Sequence, residues 1–270
     1  MTDAVLSALR PVARLAALSA IVAVLVPLQL LVLAVSRGPA SLVLPALFHR
    51  SVCAVLGLRA EVRGTVVSDA QVVFICNHLS HLDVPVLGGV LRGCFVAKED
   101  VRDWPVLGPL ARLQQTVFVS RMPRRVAEVA ASLAAALAAG HNVVLFPEGT
   151  TSDGSSVLPF KSSLFAVLTE PALRHVALQP VTIELLAVDG TRIDDGGNRD
   201  GYAYYGEMRL WPHLVDFMRG SGACLRLTLH APLPPATDLP RKSLAALAHA
   251  RVSQLGMPRT ADAPAASVRA

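Results

Sequence analysis

Residues 15–35 are twenty-one consecutive positions without a charge, with Arg10 and Arg14 before them and Arg37 after. A run of about 20 apolar residues is long enough to cross a bilayer as a helix. A secretory signal has a shorter apolar core, roughly 7–15 residues, followed by a small-residue cleavage site. The composition points the same way. Of the 270 residues, 53% are hydrophobic and 17% charged, whereas an average domain carries about 25% charged residues. A second apolar stretch, residues 41–58, follows at once, broken by His49 and Arg50. Two helices joined at residues 36–39 either cross twice or lie as a hairpin in one leaflet. Basic residues flank the first run on both sides, so charge counting does not choose between these. Residues 1–58 are expected to form membrane-anchoring helices.

From about Ala60 the texture changes. Residues 71–76 (QVVFIC), 94–98 (CFVAK), 116–120 (TVFVS) and 142–146 (NVVLF) are short apolar runs, with further candidates at 178–183 and 225–229. Such runs suit strands buried on both faces. The Ala- and Leu-rich stretch 124–139, stopped by Gly140, reads as a helix. Strands alternating with helices predict an α/β domain: a mostly parallel central sheet flanked by helices, over residues 59–257. Residues 189–206, rich in Gly, Asp and Tyr, read as a loop. The Ala/Pro-rich tail, 258–270, reads as disordered.

Net charge is +5 and the pI about 9.4, which fits an anionic membrane surface or substrate. Aromatics are 5% and no Lys/Arg run interleaves with them, so nothing points to nucleic acid. Cys53, Cys76, Cys94 and Cys224 include no CxxC pair. Cys76 and Cys94, inside apolar strand-like runs, read as small buried hydrophobes in a reducing compartment, not a disulfide frame or a zinc site.

Two polar segments leave apolar strands, where α/β folds place their sites. The first runs Asn77-His78-Leu79-Ser80-His81-Leu82-Asp83. On a tight turn entering a helix, the Asp83 carboxylate can return to the His78 imidazole. Neutral imidazole accepts a proton near pH 7, and a carboxylate on its other nitrogen fixes the tautomer and stabilises the imidazolium. A helix-capping loop is the plainer alternative. The second runs Phe146-Pro147-Glu148-Gly149-Thr150-Thr151-Ser152. Its hydroxyls and exposed backbone N–H groups suit an anion or a hydroxyl, although any strand-to-loop turn has a similar composition.

Together the segments resemble the glycerolipid acyltransferase family typified by bacterial 1-acylglycerol-3-phosphate acyltransferase, whose NHxSxxD and FPEG blocks stand here in order, about 70 residues apart. Lys98-Glu99, Trp104-Pro105, Gly108 and Phe118-Val119-Ser120-Arg121 resemble its second block, and Gln179-Pro180-Val181-Thr182-Ile183 its fourth. The resemblance spans residues 44–229. It implies that His78 is the general base and Asp83 its orienting partner. Arg121, Glu148, Gly149 and Thr150 would shape the acceptor site, with Lys161 a further anion-binding candidate. It implies acyl-CoA or acyl carrier protein as donor, a lysolipid as acceptor, and no metal or other cofactor. The expected acceptor is 1-acyl-sn-glycerol-3-phosphate, giving phosphatidic acid. Because such donors are made in the cytoplasm, the expected place is the inner membrane with the catalytic domain on the cytoplasmic face.

Two departures bear on the acceptor. The family usually reads FPEG-Thr-Arg-Ser, whereas Thr151 stands at the Arg position; where a Lys-x-Gly often follows, this chain has Lys161-Ser162-Ser163. Tyr204-Tyr205-Gly206-Glu207-Met208 resembles a stretch found in a subgroup that includes lyso-ornithine lipid acyltransferases, which makes lyso-ornithine lipid the alternative acceptor. Two readings of other classes compete: a metal hydrolase using His78, His81 and Asp83, whose spacing misses HxHxDH, and a membrane-anchored lipid-binding protein, which leaves the paired blocks unexplained.

Overall fold

A computed structural model describes residues 2–119, 126–170, 173–236 and 239–254, with backbone alone for 2–8 and 126–130. Helix α1 (Thr2–Val35) runs unbroken through Pro11 and Pro27. A short 3-10 turn, Pro39–Leu42, leads into α2 (Val43–Leu56). Gly57 ends α2 at φ +74°, and a Cβ there would lie 2.2 Å from the Ser221 carbonyl oxygen, so only glycine fits the turn.

The sheet follows. Its strands are β1 (Leu58–Arg63), β2 (Val72–Cys76), β3 (Cys94–Lys98), β4 (Val117–Val119), β5 (Val143–Leu145), β6 (Ala177–Val188), β7 (Thr191–Arg192) and β8 (Ala223–Leu229). In space the order is β1-β8-β6-β2-β5-β3-β4, with β7 paired to β6. Pairing is parallel except at β6–β8 and β6–β7. The expected class, a mostly parallel sheet between helices, is the one found.

All five β2 residues have no solvent exposure. Val72, Phe74 and Cys76 face one core layer, and Val73 and Ile75 the other. The first layer is covered by α2, by α3 (Asp83–Leu91) and by α6 (Leu210–Arg219). The second is covered by α5 (Val126–Ala138) and α7 (Arg241–Val252). Burying a Val, Ile or Phe side chain contributes about 1.5–3 kcal/mol, so this central strand anchors both layers. Helix α4 (Leu107–Leu113) precedes β4.

Boundaries shift from the sequence reading by one to a few residues. The strand expected at 116–120 is described as Val117–Val119, and the helix expected at 124–139 as Val126–Ala138. Strand β6 extends five residues past its predicted end, because β8 and β7 pair with the extension. The loop 189–206 holds β7 and two short 3-10 turns. The tail 258–270 lies outside the described residues.

The apolar N-terminus is not a free rod. Residues Leu9–Val35 are long and apolar enough to cross a membrane, as are Pro39–Leu56. Helix α1 leaves Leu15, Val24, Leu28 and Leu31 exposed, yet it touches α2, α4 and α6. Arg14 Nη1 donates to the carbonyls of Met218 (2.9 Å) and Gly220 (3.0 Å), capping the end of α6. The buried Gln29 Nε2 donates to the carbonyls of Ser41 and Leu113, both at 3.0 Å. Helix α2 packs on α3 and buries Pro45, Ala46, His49, Cys53 and Leu56. A chain lacking residues 1–36 should therefore move from the membrane pellet toward the supernatant on ultracentrifugation, with part retained at low salt. Undiminished pelleting through a high-salt wash would put the anchor elsewhere.

Candidate active site

The parallel pairing of β2 with β5 aligns Val73 with Val143 and Ile75 with Leu145. The two strands therefore end level at one edge of the sheet, and residues 77–83 and 146–152 leave side by side. On its other flank β2 pairs with β6 as far as Cys76 and Val181. Asn77 continues that ladder with its side chain: Nδ2 donates to the Ile183 carbonyl (2.9 Å) and Oδ1 accepts from Ile183 N–H (2.7 Å). An amide side chain is a peptide mimic, so Asn suits this exit.

Asp83 opens α3, and its carboxylate folds back over the turn. Oδ2 accepts from His78 Nδ1 (2.7 Å), Leu79 N–H (2.7 Å) and Ser80 N–H (2.9 Å). Oδ1 accepts from the Tyr202 hydroxyl (2.7 Å). The turn is closed by Asp83 N–H donating to the Ser80 carbonyl (3.0 Å). Asp83 is fully buried, whereas the His78 side chain is 18% exposed. With a carboxylate at Nδ1, the proton sits there and Nε2 carries the lone pair. The imidazole is stacked on the Phe146 ring, centroids 3.9 Å apart and planes 14° apart.

Glu148 ties the second segment to the first. One carboxylate oxygen accepts from His78 N–H (2.7 Å) and the other from Leu158 N–H (2.9 Å). Burial pushes its pKa up to about 7; the two N–H donors pull against this and the Asp83 charge adds to it. Ser152 N–H donates to the His78 carbonyl (3.0 Å), so both sides of the His78 peptide are held by the second segment. Gly149 sits at φ +65°, and a Cβ there would lie 2.6 Å from Lys161 Nζ, so the bare backbone lets the ammonium rest against the turn. Lys161 N–H donates to the Pro147 carbonyl (2.9 Å). Thr150 and Lys161 are exposed at the surface of this loop. Arg121 lies outside the described residues.

The predicted His78, Asp83, Glu148, Gly149 and Lys161 thus come together. His81 does not join them. Its ring meets Tyr204 and His213 edge-on, each at 5.2 Å between centroids. Burial, with His213 beside it, pushes its pKa down to about 3, which keeps the ring neutral. Among the described residues no group of three or more His, Cys, Asp or Glu side chains is arranged to hold a metal ion. Sequence reasoning missed two partners. Phe146 was legible as a strand residue but not as the bed of the imidazole. Tyr202 lies 119 residues from Asp83, in a loop whose composition alone gave no sign of the contact.

Residues 59–184 match the protein-family model described as Acyltransferase. Over 245 residues the chain is 37% identical to the lyso-ornithine lipid O-acyltransferase of Brucella abortus (strain 2308), covering 89% of this chain and 91% of that protein. The chain belongs to the lysolipid acyltransferase family. Over a shorter stretch of 108 residues it is 36% identical to the 1-acyl-sn-glycerol-3-phosphate acyltransferase of Neisseria gonorrhoeae, covering 40% of this chain and 42% of that one. The fold matches the crystal structure of the 1-acyl-sn-glycerophosphate acyltransferase PlsC from Thermotoga maritima, with a TM-score of 0.64 at 20% identity, over 92% of this chain and 95% of that one. At that identity the likeness speaks for the fold alone.

In this lysolipid acyltransferase the state of Glu148 sets a pH-dependent stability. The native carboxyl keeps its proton up to about pH 7, whereas the ordinary value is 4.5. Between these values the native chain binds more protons than the unfolded one, so stability falls as pH rises. The melting temperature of the wild type should decline from pH 5 to pH 8 more steeply than that of Glu148→Gln. The variant offers one acceptor oxygen to two buried N–H groups, so it should also be less stable by about 1–3 kcal/mol. Parallel pH curves for the two proteins would contradict this.

Proposed function

We propose that this acyltransferase moves a fatty acyl group from acyl-CoA or acyl carrier protein to the hydroxyl of lyso-ornithine lipid. The observation that carries the choice of acceptor is the likeness to the Brucella enzyme over nearly the whole chain, against 108 residues for the Neisseria enzyme. Thr151, at the usual Arg position, agrees: an Arg fork suits a phosphate, whereas an ornithine head group brings its own amine. The order of the two acceptors expected from the motifs is thereby reversed, and 1-acyl-sn-glycerol-3-phosphate becomes the second candidate. The stretch 204–208, which resembles the lyso-ornithine lipid subgroup, supports the same reading.

In this reading His78 Nε2 takes the proton of the acceptor hydroxyl as its oxygen attacks the thioester carbonyl. Asp83, on Nδ1, meets the imidazolium that forms. The tetrahedral intermediate collapses, the C–S bond breaks, and the thiolate leaves with the proton returned from His78. No covalent enzyme intermediate and no metal is needed. Glu148, Gly149 and Thr150 frame the acceptor site, with Lys161 beside Gly149, and Arg121 keeps the head-group-binding role that the second sequence block implies for it. Residues 1–58 serve as the membrane anchor and 59–257 as the catalytic unit. The unit faces the cytoplasm from the inner membrane, where both donors are made.

His78→Ala should lower kcat by about 10²–10⁴-fold, the usual contribution of a positioned base. His81→Ala should stay within about tenfold of wild type, since its ring packs away from His78. Equal severe losses in two well-folded variants would instead indicate a shared role, as in a metal pair. Thioester consumption is measured with each donor and each lysolipid. Wild type should turn over lyso-ornithine lipid, and Thr151→Arg should impair that reaction while leaving lysophosphatidate transfer unchanged or improved. Activity confined to lysophosphatidate would overturn the acceptor, and no thioester consumption with any lysolipid would favour a binding protein.

A further inference from the structure

The buried Asp83 carboxylate is fixed from two sides. Three donors of its own turn converge on Oδ2. Among the described residues the donor on Oδ1 is the Tyr202 hydroxyl, from a loop far away in sequence. Donors on both oxygens fix the plane of the carboxylate, where donors on one leave it a hinge. Tyr202 is itself fully buried. Its ring meets Phe217 of α6 edge-on, centroids 6.2 Å apart. Its N–H and that of Ala203 both donate to the Arg199 carbonyl, at 2.9 and 2.8 Å. The loop is pinned to the first motif and to the chain just after the second: Tyr204 N–H donates to the Leu79 carbonyl (2.9 Å), and Arg199 Nη1 to the Gly154 carbonyl (3.1 Å).

From this geometry we infer that Tyr202 is a positioning residue, acting through Asp83 to hold the His78 imidazole in register for proton transfer. The inference rests on the reading of His78 and Asp83 as the catalytic pair. Burial, and next the Asp83 charge, push the phenol pKa well above its ordinary value, so the hydroxyl stays a donor throughout the working pH range. A hydrogen bond to a charged oxygen is stronger than one between neutral groups. A carboxylate already held by fixed donors needs no reorganisation when the imidazolium forms. An unpaired Oδ1 would instead leave a buried carboxylate oxygen seeking a partner, and its rotation would carry the His78 ring with it.

The test is steady-state kinetics on Tyr202→Phe in the full chain, with the preferred lysolipid and donor. The phenylalanine keeps the ring and deletes the donor. Turnover should fall roughly ten- to hundredfold, the loss expected when a hydrogen bond to a buried charged group, about 1.5–3 kcal/mol, is removed, while KM for both substrates stays within about twofold. Tyr205→Phe, whose exposed hydroxyl bonds Asp200, should keep wild-type turnover. In an Asp83→Asn background, Tyr202→Phe should cost little more, because coupled groups are not additive. A wild-type kcat for Tyr202→Phe, or the same fold-loss in both backgrounds, would overturn the positioning role and leave the His78 assignment standing. Undiminished activity in His78→Ala would instead remove the assignment on which it rests. Should Tyr202→Phe not fold, 3-fluorotyrosine at position 202 keeps the ring and sharpens the donor. A changed kcat at constant KM then supports the role, and an unchanged kcat overturns it.

Discussion

Strand β2 lies dry on both faces, paired in parallel with β5 on one side and with β6 on the other. Every contact of the site depends on that placement. Because β2 and β5 end level, the peptide of His78 lies within reach of both Glu148 and Ser152. Because β6 runs alongside, Asn77 can close the ladder on Ile183. A slip of one residue in either pairing would turn the side chains that follow to the opposite face. The central hydrophobic strand is thus the ruler against which the polar residues are set.

Two buried carboxylates stand close together and are treated differently. Asp83 receives four hydrogen bonds, two from backbone N–H groups of its own turn, one from an imidazole and one from a phenol. Burying a charge is costly unless such partners are present. Glu148 receives two, both from backbone, and burial outweighs them, so it holds its proton to near neutrality. The first group is equipped to face an imidazolium; the second joins two loops. The stack of His78 on Phe146 adds the remaining constraint, since a ring held by one hydrogen bond alone can still tilt.

Helix α1 is joined to this machinery by two polar contacts, one before its uncharged run and one within it. Arg14 satisfies the terminal carbonyls of α6, and Gln29 bridges the carbonyls of Ser41 and Leu113. Helix α6 in turn carries Phe217, which packs on Tyr202. A continuous path of packed groups therefore runs from α1 to Asp83. Such docking fixes the orientation of α1 relative to the sheet and its site.

Much of this was legible in the chain itself. Charge-free length announced a long apolar helix, short apolar runs announced buried strands, and the five-residue spacing of His78 and Asp83 announced a contact within one turn. These are local properties: periodicity and spacing act over a few residues, where chain geometry leaves few alternatives. The reading of acyl transfer came instead from the resemblance of the two motifs, taken together, to a known family. The rest was decided by tertiary structure. That β5 neighbours β2 and that Phe146 underlies His78 follow from the order of strands in the sheet, while the turn of His81 toward Tyr204 and His213 and the closing of a tyrosine 119 residues away on Asp83 follow from the loop before α6, and α6 itself, packing on the first motif. Spacing along the chain does not encode which strand lies beside which, because that choice is made by the burial of both faces of the whole sheet at once.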